Sequence, residues 1–200
     1  MNYIAHIHIG NHTQTSLLGN FLGDFIKGNI SDKLPQYLAD GVRLHRKVDQ
    51  FTDQHPLVKT LRQKFPHSLR RVSGIVIDIV FDHCLLQQWD SFTQQAEHQV
   101  LGLFYQQLSE FKGIEQAHFK RLSDSLVNDK WLSDYSDRVT CMRAFVSIER
   151  RLNNKILFAH DAYAFLKAEQ QVFDTTFAAF YPALLDHAVH CKEQLISQHF

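Results

Sequence analysis

Apolar residues recur at helical spacing through most of the chain. They form a wide apolar face from Phe165 to Leu184, and the segment from Phe92 to Phe111 repeats the pattern. Alternation with a period of two is confined to the first ten residues, where Ile4 to Ile9 fit either a short strand or the start of a helix. The pattern predicts an all-α fold, with residues 1–200 forming a single helical domain.

The composition is that of an ordinary globular domain. Hydrophobic residues make up 44% of the chain, and the 16 phenylalanines favour a bulky buried core. Basic and acidic residues balance at 21 each, so the net charge indicates neither a nucleic acid nor a membrane partner. No nucleic-acid-binding motif is present, and the longest apolar stretch, 75–86, is too short and too charged to cross a bilayer.

Cysteine usage and the N-terminal pattern indicate the compartment. Cys84, Cys141 and Cys191 are far apart and form no C-x-x-C pair, which is typical of a reducing environment. The first residues have no basic region ahead of an apolar one, so they do not resemble a signal peptide. We therefore expect a cytoplasmic protein.

Polar residues interrupt an otherwise apolar helix predicted from Ser16 to Gly28. Asn20, Asp24 and Lys27 fall at i, i+4 and i+7, so they would share one stripe of that helix. Gly23 adjoins the stripe and would allow another backbone to approach closely. Asp24 is then either part of a site or an exposed residue on a surface face.

A second polar stripe lies on the helix predicted from Asp40 to Asp53. His45 and Asp49 are four residues apart, and an apolar stripe runs beside them. Such a pair can bind one metal ion from a single helical turn, although the same spacing is common on solvated faces.

The helix predicted from Ser73 to Trp89 is apolar on nearly every side and should be buried. It carries Asp78 and Asp82 four residues apart, with His83 next to the second. Burying two carboxylates on one stripe is costly unless a cation pairs with them, either a divalent metal or a structural Arg or Lys. A site of carboxylates and imidazoles without cysteine suits manganese, iron, magnesium or zinc, and its natural chemistry is hydrolysis of a phosphate ester.

Basic residues are concentrated between Asp40 and Ile75. This segment has eight basic residues against three acidic ones in a chain that is neutral overall, and it includes Arg43, Arg46, Arg70 and Arg71. It fits either a docking face for a phosphate-bearing or acidic partner, or an ordinary solvated helical face.

Two histidines near the N-terminus remain ambiguous. His6 and His8 would point the same way in an extended segment and could then bind or orient a ligand. Two core or surface histidines fit the sequence equally well.

Several motifs resemble the acyl carrier protein phosphodiesterases. The resemblance rests on four stretches: Met1 to His8, Gly19 to Phe25, Gly41 to Asp49 with Thr52-Asp53, and Asp78 to His83 with Trp89. Weaker similarity occurs at Trp131-Leu132, Arg150-Arg151 and Phe180 to Pro182. It covers essentially the whole chain and is most specific over residues 1–90.

The resemblance implies a manganese-dependent hydrolase with the all-helical fold of the HD-type metal phosphohydrolases. Such an enzyme would remove the 4′-phosphopantetheine arm from the serine of holo acyl carrier protein, an acidic partner that the basic segment would suit. The implied metal-binding positions are Asp24, His45, Asp49, Asp78, Asp82 and His83. Asp24, His45, Asp49 and Asp78 would be the catalytic group, and Arg46 or Lys27 would neutralise the phosphoryl oxygens.

Two other functions fit the same residues. An HD-type hydrolase of nucleotides or other small phosphates would share the metal site but need no docking surface for a protein. A non-catalytic helical module that binds an acidic partner would instead pair Asp78 and Asp82 with Arg or Lys inside its core.

Overall fold

The fold consists of α-helices joined by short turns and 3₁₀ helices. The computed structural model describes residues 1–30 and 34–197. The α-helices are α1 (Tyr3–His12), α2 (Leu17–Leu22), α3 (Gln36–Gln54), α4 (Pro56–Gln63), α5 (Ser73–Gln87), α6 (Glu97–Glu110), α7 (Ala117–Asp129), α8 (Val139–Arg151), α9 (Ala159–Ala168) and α10 (Gln170–Ser197). The 3₁₀ helices span His67–Val72, Trp89–Ser91 and Trp131–Ser136. The prediction of an all-α fold is confirmed.

The predicted central helix, α5, lies inside the fold. Ile79, Val80 and Phe81 are consecutive, so their side chains point to different sides of the helix, and all three are buried, as expected for a helix without a polar face. It packs against α1, α8 and α10, so elements from both ends of the chain share one hydrophobic core. Among the described residues, no helix is both long enough and apolar enough to span a bilayer.

The N-terminal segment forms a helix, α1, from Tyr3 to His12 rather than a strand. All residues from Ile4 to Gly10 are buried, and a helix covered on every side shows no helical periodicity in its sequence. The first N–H groups of a helix have no partner within it. Here the carboxylate of Asp82 on α5 accepts hydrogen bonds from the N–H groups of Ile4 and Ala5, both at 3.0 Å.

Helices α2 and α3 touch through their backbones. A Cβ atom on Gly41 would lie 2.6 Å from the carbonyl carbon of Gly19, and one on Gly19 would lie 2.7 Å from the carbonyl oxygen of Leu38. The two glycines therefore set the distance between these helices.

Helix α2 ends at Leu22, so the predicted extension to Gly28 was wrong. A Cβ atom on Gly23 would fall 2.2 Å from the His45 ring, which occupies the space beside this glycine. Asp24 follows in a turn and Asn20 is buried within α2, so Asn20, Asp24 and Lys27 do not share a helical stripe.

We predict that Gly41→Ala destabilises the protein by about 1–3 kcal/mol, because the new methyl group must push α2 away from α3. Urea unfolding followed by circular dichroism measures the effect. Gly102→Ala on α6 is the matched control, since nothing lies within 4 Å of a Cβ atom there. That control should leave stability unchanged or raise it by up to about 1 kcal/mol. Equal midpoints for the two variants would contradict the close crossing.

We also predict that Asp82→Ala lowers the free energy of unfolding by about 2 kcal/mol or more, because two buried N–H groups lose their acceptor. Thermal unfolding measures this loss. Asp90→Ala, which removes an exposed carboxylate a few residues along the chain, should change little. An unaltered melting temperature for Asp82→Ala would show that α1 does not depend on this carboxylate.

Candidate metal centre and adjoining cavity

Two imidazoles and one carboxylate meet where α1 packs near α3. His6 and His45 are buried, and their Nε2 atoms lie 3.1 Å from Oδ1 and Oδ2 of Asp49, respectively. The two rings are stacked with their centroids 3.7 Å apart. One ligand atom from each of these three residues lies within 4.8 Å of the others, which is close enough for the group to hold a metal ion.

The orientation of His45 favours a cation at this point. Its Nδ1 lies 2.8 Å from the carbonyl oxygen of Asn20, a group that can only accept a hydrogen bond. Nδ1 must therefore carry a proton, and a neutral His45 turns the lone pair of Nε2 toward the Asp49 carboxylate. Two acceptors 3.1 Å apart need a proton or a metal ion between them. The donor set of the group thus fits a divalent metal.

Burial and hydrogen bonding set the charges of this group. Burial lowers the pKa of His6 to about 3, so its ring is neutral at physiological pH. Burial would raise the pKa of Asp49, but its contacts with His45 and His6 outweigh burial and hold this pKa below its ordinary value. Neutral imidazoles and an ionised carboxylate are the states that bind metals.

Asp78 of α5, one of the predicted site residues, lies near the group. Its Oδ1 is 3.1 Å from the amino nitrogen of Met1, and Oδ1 of Asp49 is 3.2 Å from the same nitrogen. Burial lowers the pKa of this amino group, but the charges of Asp78 and Asp49 raise it to about 11. Two carboxylates from different helices therefore converge on one cationic atom, and both remain more than a third exposed.

Asp24 lines an open cavity beside the group. The cavity has a volume of about 510 Å³, and its wall also includes Met1, Lys27 and Asp78. Burial raises the pKa of Asp24 above its ordinary value, and the nearby carboxylate of Asp49 raises it further. Asp24, Asp78, His45 and Asp49 thus lie around one place, although they come from α3, α5 and the turn after α2.

Asp82 and His83 have other contacts. Asp82 is fully buried against the N-terminus of α1, and burial raises its pKa to about 7. His83 is turned toward the 3₁₀ helix of residues 131–136, where its Nδ1 lies 2.7 Å from the carbonyl oxygen of Tyr135. The structure does not bring these two predicted ligands to the His6–His45–Asp49 group, because each has a structural partner elsewhere.

The predicted phosphate-binding or docking residues are dispersed. Lys27 lines the cavity, and Arg46 donates to the carbonyl oxygen of Ile26, which holds the neighbouring loop in place. Arg43 forms an ion pair with Asp40. Arg70 lines a separate surface depression, and Arg71 is exposed. Only Lys27 and Arg46 lie close to the candidate metal centre.

His6 is the site residue that the sequence left ambiguous. In a helix, His6 and His8 point in different directions, so the alternative in which an extended segment turns both the same way does not hold. His8 Nδ1 lies 2.9 Å from the hydroxyl oxygen of Tyr181, inside the core. The sequence offered one signal for the role of His6, which is its place in the stretch from Met1 to His8 that resembles the family.

The chain is similar to proteins of one family along nearly its whole length. The family described as "Acyl carrier protein phosphodiesterase" matches residues 1–184. A protein of that name from Yersinia pestis is 32% identical over 199 residues, covering 95% of this chain and 98% of the relative. One from Salmonella agona (strain SL483) is 30% identical over 189 residues, covering 94% and 97%. No solved structure gives a significant match, so the likeness to HD-type phosphohydrolases stays a prediction.

We predict that His6→Ala weakens binding of divalent manganese by about 100-fold or more. Removing a residue that only hydrogen-bonds to a metal ligand lowers metal affinity roughly 10–100-fold, and removing a ligand itself should lower it more. Isothermal titration calorimetry measures the affinity. His12→Ala, at an exposed position on the same helix, should bind as the unchanged protein does. Equal affinities for the two variants would remove His6 from the centre.

Proposed function

The chain belongs to the acyl carrier protein phosphodiesterase family, and on that premise we propose that it hydrolyses the phosphodiester of holo acyl carrier protein. Water adds to phosphorus, and the bond between phosphorus and the serine oxygen of the carrier breaks. The serine oxygen takes up a proton. The products are apo acyl carrier protein and 4′-phosphopantetheine.

The observation that carries this proposal is the convergence of His6, His45 and Asp49 beside a cavity that also contains Asp24 and Asp78. We propose that the first three residues hold a divalent ion, and that Asp78 faces the same ion across the site. When bound, such an ion lowers the pKa of water and neutralises charge on phosphoryl oxygens.

The other residues have roles that follow from their positions. Burial raises the pKa of Asp24, so this carboxyl group holds a proton more readily than an ordinary aspartate, which suits a role in proton transfer. Lys27 is exposed on the same wall and brings positive charge toward the phosphoryl oxygens. Arg46 supports this wall through Ile26.

Manganese is the metal we propose for this site. Two imidazoles with carboxylates make a mixed nitrogen and oxygen donor set without thiolate, which suits manganese and its neighbours among the divalent ions. The family resemblance favours manganese among these.

Among the described residues, the ion pairs that the non-catalytic alternative requires are not formed. That alternative needs Arg or Lys to pair with Asp78 and Asp82 in the core. In the described parts of the chain, Asp82 bonds to backbone N–H groups and Asp78 to the amino nitrogen of Met1. A hydrolase of small phosphates remains the alternative that the experiment below must separate.

We propose the cytoplasm as the working compartment. Cys84, Cys141 and Cys191 are all free and buried, as expected for a protein that never meets an oxidising environment.

We predict that incubation with holo acyl carrier protein and Mn²⁺ lowers the carrier's mass by one phosphopantetheine, as measured by mass spectrometry. Removal of the metal with a chelator should stop the reaction, because the carboxylates and imidazoles alone do not activate water. Faster hydrolysis of a mononucleotide than of the carrier would favour the small-phosphate alternative.

Asp24→Asn tests the proposed proton transfer in the same assay. We expect the rate to fall by about 100-fold or more with the fold intact, because positioned acids and bases contribute about that much. Asp161→Asn is the matched control, since Asp161 is exposed on α9 and belongs to the chain's single His-Asp dipeptide. It should retain full activity. Full activity of Asp24→Asn would exclude this carboxyl group from the chemistry.

A further inference from the structure

A second cavity adjoins the one beside the candidate metal centre. It has a volume of about 550 Å³ and lies between α7, α8 and the 3₁₀ helix of residues 131–136. The two cavities share six lining residues: Asn2, Tyr3, Ile79, His118, Ile148 and Arg151. Because the wall is common to both, they form one groove that leads away from Asp24 and Asp78.

The far part of the groove has a mainly apolar lining. Leu122 of α7, Trp131 of the 3₁₀ helix, and Ala144 and Ile148 of α8 are only partly buried, so their apolar surfaces face the groove. Asn2 adds a polar group to the same wall. Thr140 and Ser147 also line the cavity. A volume of this size, with a mainly apolar surface and polar groups at its wall, is typical of a site for a small organic ligand.

Exposed arginines surround this part of the groove. Arg121 and Arg143 lie on its rim, and within the described residues neither forms an ion pair. Arg151 stands where the two cavities meet and interacts with the hydroxyl of Tyr3. Asp134 also lines this cavity, so three arginines face one carboxylate and the groove has an excess of positive charge beside its apolar surface.

We infer that the second cavity binds the pantetheine portion of the carrier's arm, an inference that rests on the proposed function. The phosphodiester joins the carrier serine to the pantetheine. If it lies beside Asp24 and Asp78 with the carrier outside the cavity, the pantetheine extends from the phosphorus into the protein. The groove supplies such a path. The branched methyl groups and methylenes of pantetheine match the apolar floor, and its amides match the polar groups on the wall.

The arginine rim agrees with this orientation. A carrier that covers the open groove presents its acidic surface to Arg121 and Arg143, and opposite charges facing each other speed and orient docking. This rim lies outside the basic segment of residues 40–75. A nucleotide would leave the far end of the groove without a partner, because its base and phosphates are not joined by a long neutral chain.

Ala144→Trp is designed to fill the second cavity without touching the metal centre. We expect the KM for holo acyl carrier protein to rise by about tenfold or more, which corresponds to the loss of one well-buried contact. Hydrolysis of bis(4-nitrophenyl) phosphate, which has no pantetheine arm, should be unchanged. Ala178→Trp adds the same bulk at an exposed position on α10 and is the matched control.

Direct binding separates this inference from the proposed function. Pantetheine has no phosphate, so it should bind the metal-free protein in isothermal titration calorimetry, bind Asp49→Ala equally well and fail to bind Ala144→Trp. Binding of pantetheine without hydrolysis of the carrier would support the cavity and refute the activity. Hydrolysis of the carrier by Ala144→Trp with an unaltered KM would refute the cavity alone.

Ser147→Trp guards against a folding defect at Ala144. Ser147 lines the same cavity but is exposed, so a large side chain there can be accommodated without repacking the core. It should reproduce the loss of pantetheine binding. If both tryptophan variants fold, as judged by circular dichroism, and still bind pantetheine, the arm lies elsewhere.

Discussion

The candidate metal centre depends on one buried carboxylate that does not belong to it. Asp82 of α5 accepts the first N–H groups of α1, and this contact fixes where the N-terminal helix begins against the centre of the fold. From that starting point, one turn of helix brings His6 to Asp49 on α3. Asp82 was predicted as a metal ligand, but it acts through hydrogen bonds to the backbone of α1 and thereby positions His6, a ligand on that helix.

A second constraint concerns His45. The carbonyl oxygen of Asn20 fixes its tautomer, and Gly23 leaves the space that its ring occupies. The same short helix α2 therefore orients the imidazole and sets the path of the turn that carries Asp24. Because α2 and α3 touch at Gly19 and Gly41, the position of this turn relative to His45 is set by direct backbone contact.

The groove extends this arrangement to the second half of the chain. The residues proposed for the chemistry come from α1, α3, α5 and the turn after α2, whereas the wall that we assign to the arm comes largely from α7, α8 and the 3₁₀ helix between them. Tyr3 and Ile79 belong to both cavities, so α1 and α5 connect the two functions. A rigid core helix is well suited to keep the distance and orientation between a reacting group and a binding groove constant.

The sequence by itself determined the all-α class, the bounds of α3 and α5 to within a few residues, and the pairing of His45 with Asp49. These features depend on local periodicity, and residues four apart on one helix must be neighbours. The roles of His6 and Asp82 were decided only by the tertiary structure. Both lie on helices that are buried on every side, where no polar stripe marks the direction of a functional face, so only packing against other helices reveals what each side chain contacts.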